Sequence, residues 1–414
     1  MDRPFNPILF LRGASAPDRI VPPPVYAPLT RGHHLVPWGK PDGPLTPSED
    51  SFYQTPPSWE TTSPGTILRY RTLAFPIAAF GLAKVNLEAG SRILYRTTNT
   101  FGEPIATVTT ILILHNADYT KLLSYQVAQD AADPSCSPAF ALQQFSDAGE
   151  ALALVMPQTE YLFISSALNK GWIVTVPTTL ARSQAVLDNI RAALASTSIT
   201  SMSPHATVAM WGYSGGSLAS GWAAELQPSY APELKIAGAA LGGTVPKITP
   251  VIDTISKGSS AGLLFAGLQE LANEYPSVAQ LIRENIIPAK WADFNKTQGA
   301  LPHGDIFTKP EATKLLDENS MGQHTPSIPL LIYKSTNDEI CPVKDTDHLY
   351  NTYCSNGADV KYLRDVLSDH TALTITDALL WLVDRLNGVP VRKGGPRAIR
   401  TLGRDIVRLL LGFL

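Results

Sequence analysis

Gly212-Tyr213-Ser214-Gly215-Gly216 sets a serine between two glycines, each two residues away. A serine hydroxyl becomes a useful nucleophile only when a base takes its proton and a third group orients that base. The G-x-S-x-G pattern is short and takes its meaning from context. Thr207 to Trp211 reads as a strand, and Ser217 to Leu226 has helical spacing. Strand, tight turn and helix make a nucleophile elbow, with Gly212, Tyr213 and Gly216 around Ser214. The serine of such a turn holds a strained backbone, and small neighbours let strand and helix approach closely. The blander alternative is a Gly-rich strand-to-helix turn with an inert serine.

In this architecture the acid and then the histidine follow the serine along the chain. His303, His324, His348 and His370 lie beyond Ser214. The first two fall in a helical insertion and His348 within a helix, where core or surface roles suffice. His370 lies just past the last strand, before the closing helix, where a loop can reach over the sheet edge. Asp338 follows the strand Leu330 to Tyr333 in the turn STNDEICP, with Glu339 as its rival. Asp369 adjoins His370 in sequence and is expected to point elsewhere. The reading is therefore Ser214 as nucleophile, His370 as base and Asp338 as acid. A developing oxyanion also needs backbone N–H donors. Gly215 supplies one, and the loop after Leu122 to Ala128 offers Gln129 or Asp130 as the second. By spacing alone Asp130 fits a surface turn equally well.

These residues need a frame to hold them. LRYRTLAF, GSRILYRTTN and ATVTTILILH, within residues 68 to 115, have strand character. FISSALNKGWIVTVP predicts a short helix ending at Gly171 and then an apolar strand; Ala181 to Ala195 repeats apolar residues at three and four. The alternation continues through KIAGAALGG, IPLLIYKST, a helix over Lys344 to Tyr353, DVKYLRDVL and a helix over Thr371 to Leu386. Near-continuous apolar strands separated by helices predict an α/β fold with a mostly parallel sheet covered on both faces. The expected organisation is an extended lead-in over 1–49, core over 50–249 and 328–390, a mainly helical cap over 250–327, and a C-terminal segment over 391–414. Ala398 to Leu414 reads as an amphipathic helix, docked on the body or touching lipid.

Composition narrows the class. The 414 residues are 44% hydrophobic and 17% charged, enough apolar material for a large core. The 33 basic against 36 acidic residues leave no electrostatic footprint for nucleic acid. No run approaches the ~18 apolar residues of a membrane span. The eight histidines show no metal-ligand cluster, and the chemistry requires neither metal nor organic cofactor. Three cysteines cannot all pair. A helix of about ten residues would hold Cys341 and Cys354 roughly 15 Å apart, beyond the ~4.4–6.8 Å of a disulfide.

Longer motifs extend the argument. YRTTNTFGEP, LLSYQVAQDAADPSCSPAFAL, SYAPELKIAGAALGGTVP, YKSTNDEICP and DVKYLRDVLSDHTA surround the elbow. With them, residues 51 to 388 resemble the fungal secretory lipases. The resemblance implies an α/β-hydrolase core with an inserted helical cap and hydrolysis of carboxylic esters. It carries the triad onto Ser214, Asp338 and His370, and the oxyanion pair onto Gly215 and the Asp130 backbone. The implied partner is a small lipophilic ester, with interfacial contact with lipid. The likeness extends to fungal hydrolases that deacetylate trichothecene-type toxins, so deacetylation of a secondary metabolite is the alternative. An inactive interaction protein on the same fold is a third.

The chain departs from that family in three places. PTTL, between the strand at Trp172 to Val176 and the helix at Ala181, is about ten residues shorter than the family pattern. The family pairs the cysteine matching Cys136 with one in the cap, and none lies between Cys136 and Cys341. The family is exported, yet only Ile8 to Leu11 is apolar near the N-terminus, a poor export signal that leaves secreted and cytoplasmic locations both open. Asn295-Lys296-Thr297 is a glycosylation sequon that matters only on the secretory route.

Overall fold

A computed structural model describes residues 43–79, 83–129, 133–146, 152–178, 183–256, 262–285, 309–366, 369–370, 375–391 and 398–400. Strands β1 (Ile67–Thr72), β4 (Leu87–Thr98) and β5 (Pro104–Leu114) form an antiparallel flank. A short pair, β2 (Ala78–Ala79) and β3 (Ala83–Lys84), stands apart as its own sheet. Beyond β5 come β6 (Asp118–Gln126), β7 (Trp172–Pro177), β8 (Thr207–Tyr213), β9 (Ile236–Gly242), β10 (Leu330–Ser335), β11 (Val360–Asp365) and β12 (Ala398–Arg400). The ten-stranded sheet runs β1-β4-β5-β7-β6-β8-β9-β10-β11-β12. From β7 onward every pairing is parallel. This is the mostly parallel, two-sided sheet of an α/β-hydrolase core.

The helices are α1 (Pro138–Ala141), α2 (Leu152–Leu168), α3 (Ser183–Ala195), α4 (Thr197–Thr200), α5 (Gly215–Tyr230), α6 (Ile248–Ile255), α7 (Gly262–Glu274), α8 (Pro276–Asn285), α9 (Pro310–Glu318), α10 (Val343–Ser355) and α11 (Ile375–Leu386). Strand period assigns the two faces of the sheet. Along β8, Val208 and Met210 pack with Val186 and Ile190 of α3 and Ala219 and Ala223 of α5. Ala209, Trp211 and Tyr213 face the other way, onto Phe163 and Ile164 of α2 and Leu382 of α11. Both faces are therefore dry, and β7 and β10 are buried along their whole lengths, as apolar central strands require.

Two sequence expectations are corrected. The helix before Gly171 is long rather than short, because α2 continues N-terminally to Leu152, through Pro157. Apolar residues on all sides blur its 3.6-residue period, and the proline reads as a stop. Ala398 to Arg400 opens no helix: it pairs in parallel with Leu363 to Asp365 as β12, at a sheet edge that offers backbone partners. Residues 401–414 lie outside the described residues, as do most of the lead-in and Asn295 of the sequon. Cys136, Cys341 and Cys354 form no disulfide among the described residues. No helix among the described residues is long and apolar enough to cross a membrane.

Between β9 and β10 the described chain is helical. Ile252 and Ile255 of α6, Leu264 and Leu268 of α7 and Leu316 of α9 form a small cluster of their own, with Ile340 packed against it. The return of this segment to the core is anchored by the buried Glu225 of α5. Its carboxylate accepts from the Gly322 amide at 2.7 Å, the His324 amide at 2.8 Å and the Tyr353 hydroxyl at 2.5 Å. A buried carboxylate so fully bonded is stable in place, whereas an orphaned partner would cost about 1–3 kcal/mol.

Candidate active site

The local fold around Ser214 follows from its glycines. Parallel β8 ends at Tyr213, and α5 begins at Gly215, so one residue must reverse the chain. Ser214 does so at φ 50° and ψ −121°, a region that side chains enter only at a cost of about 1–3 kcal/mol. A Cβ on Gly212 would strike the Gly216 carbonyl, and one on Gly216 would strike the Gln126 carbonyl of β6. Strand, elbow and helix can close together only with hydrogen at both positions. The bend is then fixed: the Ser214 amide donates to the Gly242 carbonyl at 2.9 Å, and the Ser217 hydroxyl donates to the Ser214 carbonyl at 2.7 Å.

Asp338 follows β10 and His370 follows β11, both at the sheet edge that carries Ser214. His370 Nε2 lies 2.8 Å from Ser214 Oγ, and its Nδ1 lies 2.7 Å from Asp338 Oδ2. His370 is 2% exposed and the Asp338 side chain not at all. Burial alone would raise the Asp338 pKa. The hydrogen bond and charge of His370, the charge of Lys334 and the Cys341 amide outweigh it and hold the carboxyl at about 2, below its ordinary 3.8. Asp338 Oδ1 accepts from the amides of Ile340 at 2.9 Å and Cys341 at 2.6 Å. The carboxylate is thus an acceptor only, so His370 Nδ1 is the donor in that bond, and Nε2 faces the serine hydroxyl.

The rivals take other places. Glu339 accepts from the His370 backbone amide at 2.7 Å, so it grips the loop and not the ring. Asp369 is exposed beside the buried His370. His348 is exposed on α10, and His324 meets Glu225 through its backbone. His303 lies outside the described residues. The Tyr213 hydroxyl donates to the His370 carbonyl, so the residue before the serine also holds the histidine loop.

For the oxyanion, Gly215 opens α5, whose first N–H groups have no partner within the helix and sit at its positive end. Asp130 lies outside the described residues. The strand that leads toward it is held firmly: the Tyr125 hydroxyl donates to the buried Glu160 of α2, and the Ala128 amide lies 3.4 Å from the same carboxylate. Burial and then the Glu160 charge push the Tyr125 pKa far up, so the phenol stays a donor.

Sequence reasoning missed Lys334, Glu160 and Glu225. Lys334 is wholly buried, with Nζ 2.5 Å from Asp338 Oδ2 and 3.1 Å from the Thr244 carbonyl. A lysine inside the apolar run IPLLIYKST, four residues before an aspartate, was the available signal, since a buried charge needs a partner. Among the described residues the one group with metal-ligand chemistry is Asp338, Cys341 and His370. Its imidazole and carboxylate already bond each other at 2.7 Å, a spacing with no room for an ion between them.

A model of the secretory lipase family matches residues 147–301 and 294–394, more than half of the chain. Lipase A of Arthroderma benhamiae is 43% identical over 90% of this chain and 89% of its own. Lipase 4 of Candida albicans is 34% identical over 86% and 85%. A Mycobacterium tuberculosis protein whose name describes a probable inactive lipase is 36% identical over 84% of each. In fold, the closed state of Candida antarctica lipase A matches with a TM-score of 0.75 at 24% identity, over 88% of this chain and 94% of that one. With the α/β-hydrolase sheet, the elbow and these matches together, the chain belongs to the secretory lipase family.

Proposed function

We propose that the chain is a serine carboxylic-ester hydrolase that works through an acyl-enzyme, on acylglycerols or other lipophilic esters. The observation that carries this reading is the unbroken path from Ser214 Oγ through His370 to an ionised Asp338, at 2.8 and 2.7 Å. A family that includes a relative named for inactivity makes membership alone insufficient. A connected triad supports activity.

His370 Nε2 takes the Ser214 proton as the hydroxyl attacks the ester carbonyl. The Gly215 N–H, joined by the Asp130 backbone, stabilises the oxyanion. His370 then gives its proton to the departing alcohol, and water repeats the cycle on the acyl-enzyme. Asp338 holds the tautomer and offsets the imidazolium charge without taking the proton. The strained elbow keeps Ser214 Oγ in place throughout, so little reorganisation is left for the reacting complex.

The test is Ser214→Ala. A methyl group fits where the hydroxymethyl stood, so the fold should persist. Covalent catalysis should vanish, leaving at most the roughly 10³–10⁴-fold over water that an oxyanion hole and binding supply. An organophosphonate should label the parent stoichiometrically at Ser214 and leave the variant untouched. Near-parental ester turnover in folded S214A refutes the assignment.

A further inference from the structure

One carboxylate oxygen serves two donors at once. Asp338 Oδ2 lies 2.7 Å from His370 Nδ1 and 2.5 Å from Lys334 Nζ. All three side chains are sealed from water, with exposures of 0% for Lys334 and Asp338 and 2% for His370. We propose that Lys334 is a positioning residue for the triad: it clamps the Asp338 carboxylate and keeps His370 a free base at mildly acidic pH. The inference rests on the serine-hydrolase reading above.

The geometry gives Lys334 two tasks. Its second bond, 3.1 Å to the Thr244 carbonyl, joins the acid loop after β10 to the chain that leaves β9 for α6. The carboxylate is therefore held from three sides, by the ammonium, by the imidazole and by the Ile340 and Cys341 amides. The charge count supplies the second task. Around a neutral imidazole the ammonium and carboxylate charges cancel. Protonating His370 then leaves a net positive charge in a water-free pocket. Without the ammonium, the same protonation would create a neutral carboxylate–imidazolium pair and would be favoured. Lys334 thus opposes premature protonation of the base, at some cost to the imidazolium formed during reaction.

Other groups around His370 form a constant background. Glu339 accepts from its amide, the Tyr213 hydroxyl donates to its carbonyl, and Asp369 precedes it at the surface. The Cys341 sulfur completes the surroundings, in a cluster whose ligand atoms lie within 4.8 Å of one another. A change at Lys334 leaves each of these in place.

The experiment is kcat/KM for p-nitrophenyl butyrate against pH in the parent, Lys334→Met, Lys334→Gln and Lys334→Arg, with circular dichroism to establish folding. In the two neutral variants the acid limb should move to higher pH by about one unit, the lower end of the shifts that a neighbouring charge produces. Each should lose roughly tenfold more activity on the acid limb than on the plateau. Lys334→Arg keeps the charge and should hold the limb in place even if the plateau falls. An unmoved limb in either folded neutral variant overturns the proposal. So does failure of both neutral variants to fold, which would make Lys334 a folding residue only. Failure of the underlying reading looks different: the parent itself would show no hydrolysis sensitive to S214A, and so no limb to move.

Discussion

Asp338 is the residue on which chemistry and stability meet. Its carboxyl, held at about 2 against an ordinary 3.8, is ionised wherever the protein works. A folded-state value below the unfolded one means that the stabilisation is fully present above about pH 4 and is lost as pH falls toward 2. The shift corresponds to roughly 2 kcal/mol. In Asp338→Asn the loss of stability between those pH values should flatten relative to the parent, measured as denaturation midpoints against pH. The same variant should lower turnover by about 10⁴-fold at neutral pH, because an amide can fix the wrong imidazole tautomer. Glu339→Gln should do far less, since Glu339 meets His370 through its backbone amide. The reverse order of losses, in kinetics on one soluble ester, would place the acid at Glu339. The residues of this site were readable because order along the chain and position at strand ends restrict a triad strongly. Glu160 and Glu225 were not, because their roles arise from partners up to 35 and 128 residues away.

At the scale of elements, tight junctions decide what sequence can vary. Gly216 abuts the Gln126 carbonyl, backbone against backbone, so no side-chain motion relieves an added methyl. Gly216→Ala should destabilise the fold by about 3 kcal/mol, the upper range for overpacking, and should remove activity with it. Gly267 is the contrasting case. It lies inside α7 with nothing within 4 Å of a built Cβ. Gly267→Ala should therefore stabilise by about 0.5–1 kcal/mol, the helix propensity difference. Thermal melts of both variants check the pair, and a neutral G216A would mean that the elbow is looser than its contacts require. Strands announced themselves by apolar runs, and the elbow by its glycines. The length of α2 and the strand at Ala398 did not show, for different physical reasons. One helix is apolar around its circumference, so its period is faint. The other segment takes its conformation from β11, and no local preference encodes that pairing.

At the scale of the whole molecule, the described helices between β9 and β10 join the core at several points. Thr100 in the β4–β5 turn donates its amide to Glu274 at 3.1 Å, and Phe101 meets Tyr275 at 5.7 Å between ring centres. Glu225 holds the returning chain. The apolar cluster of α6, α7 and α9 packs on Ile340, whose amide donates to Asp338 at 2.9 Å. On the proposed reading, the acyl chain of a lipophilic ester bound at Ser214 is expected to lie against this helical segment. Each methylene buried there is worth about 0.8 kcal/mol, or roughly fourfold in kcat/KM. Along a series of p-nitrophenyl esters from acetate upward, kcat/KM should therefore rise steeply before levelling. A long-chain phosphonate trapped on Ser214 should place its tail against residues 262–285. Deacetylation of a secondary metabolite predicts the reverse, because an acetyl pocket excludes longer chains by overlap and gains nothing from the cap. A maximum at acetate, with a trapped tail lying wholly outside the cap, would transfer the substrate assignment to small acetate esters while leaving the triad as described.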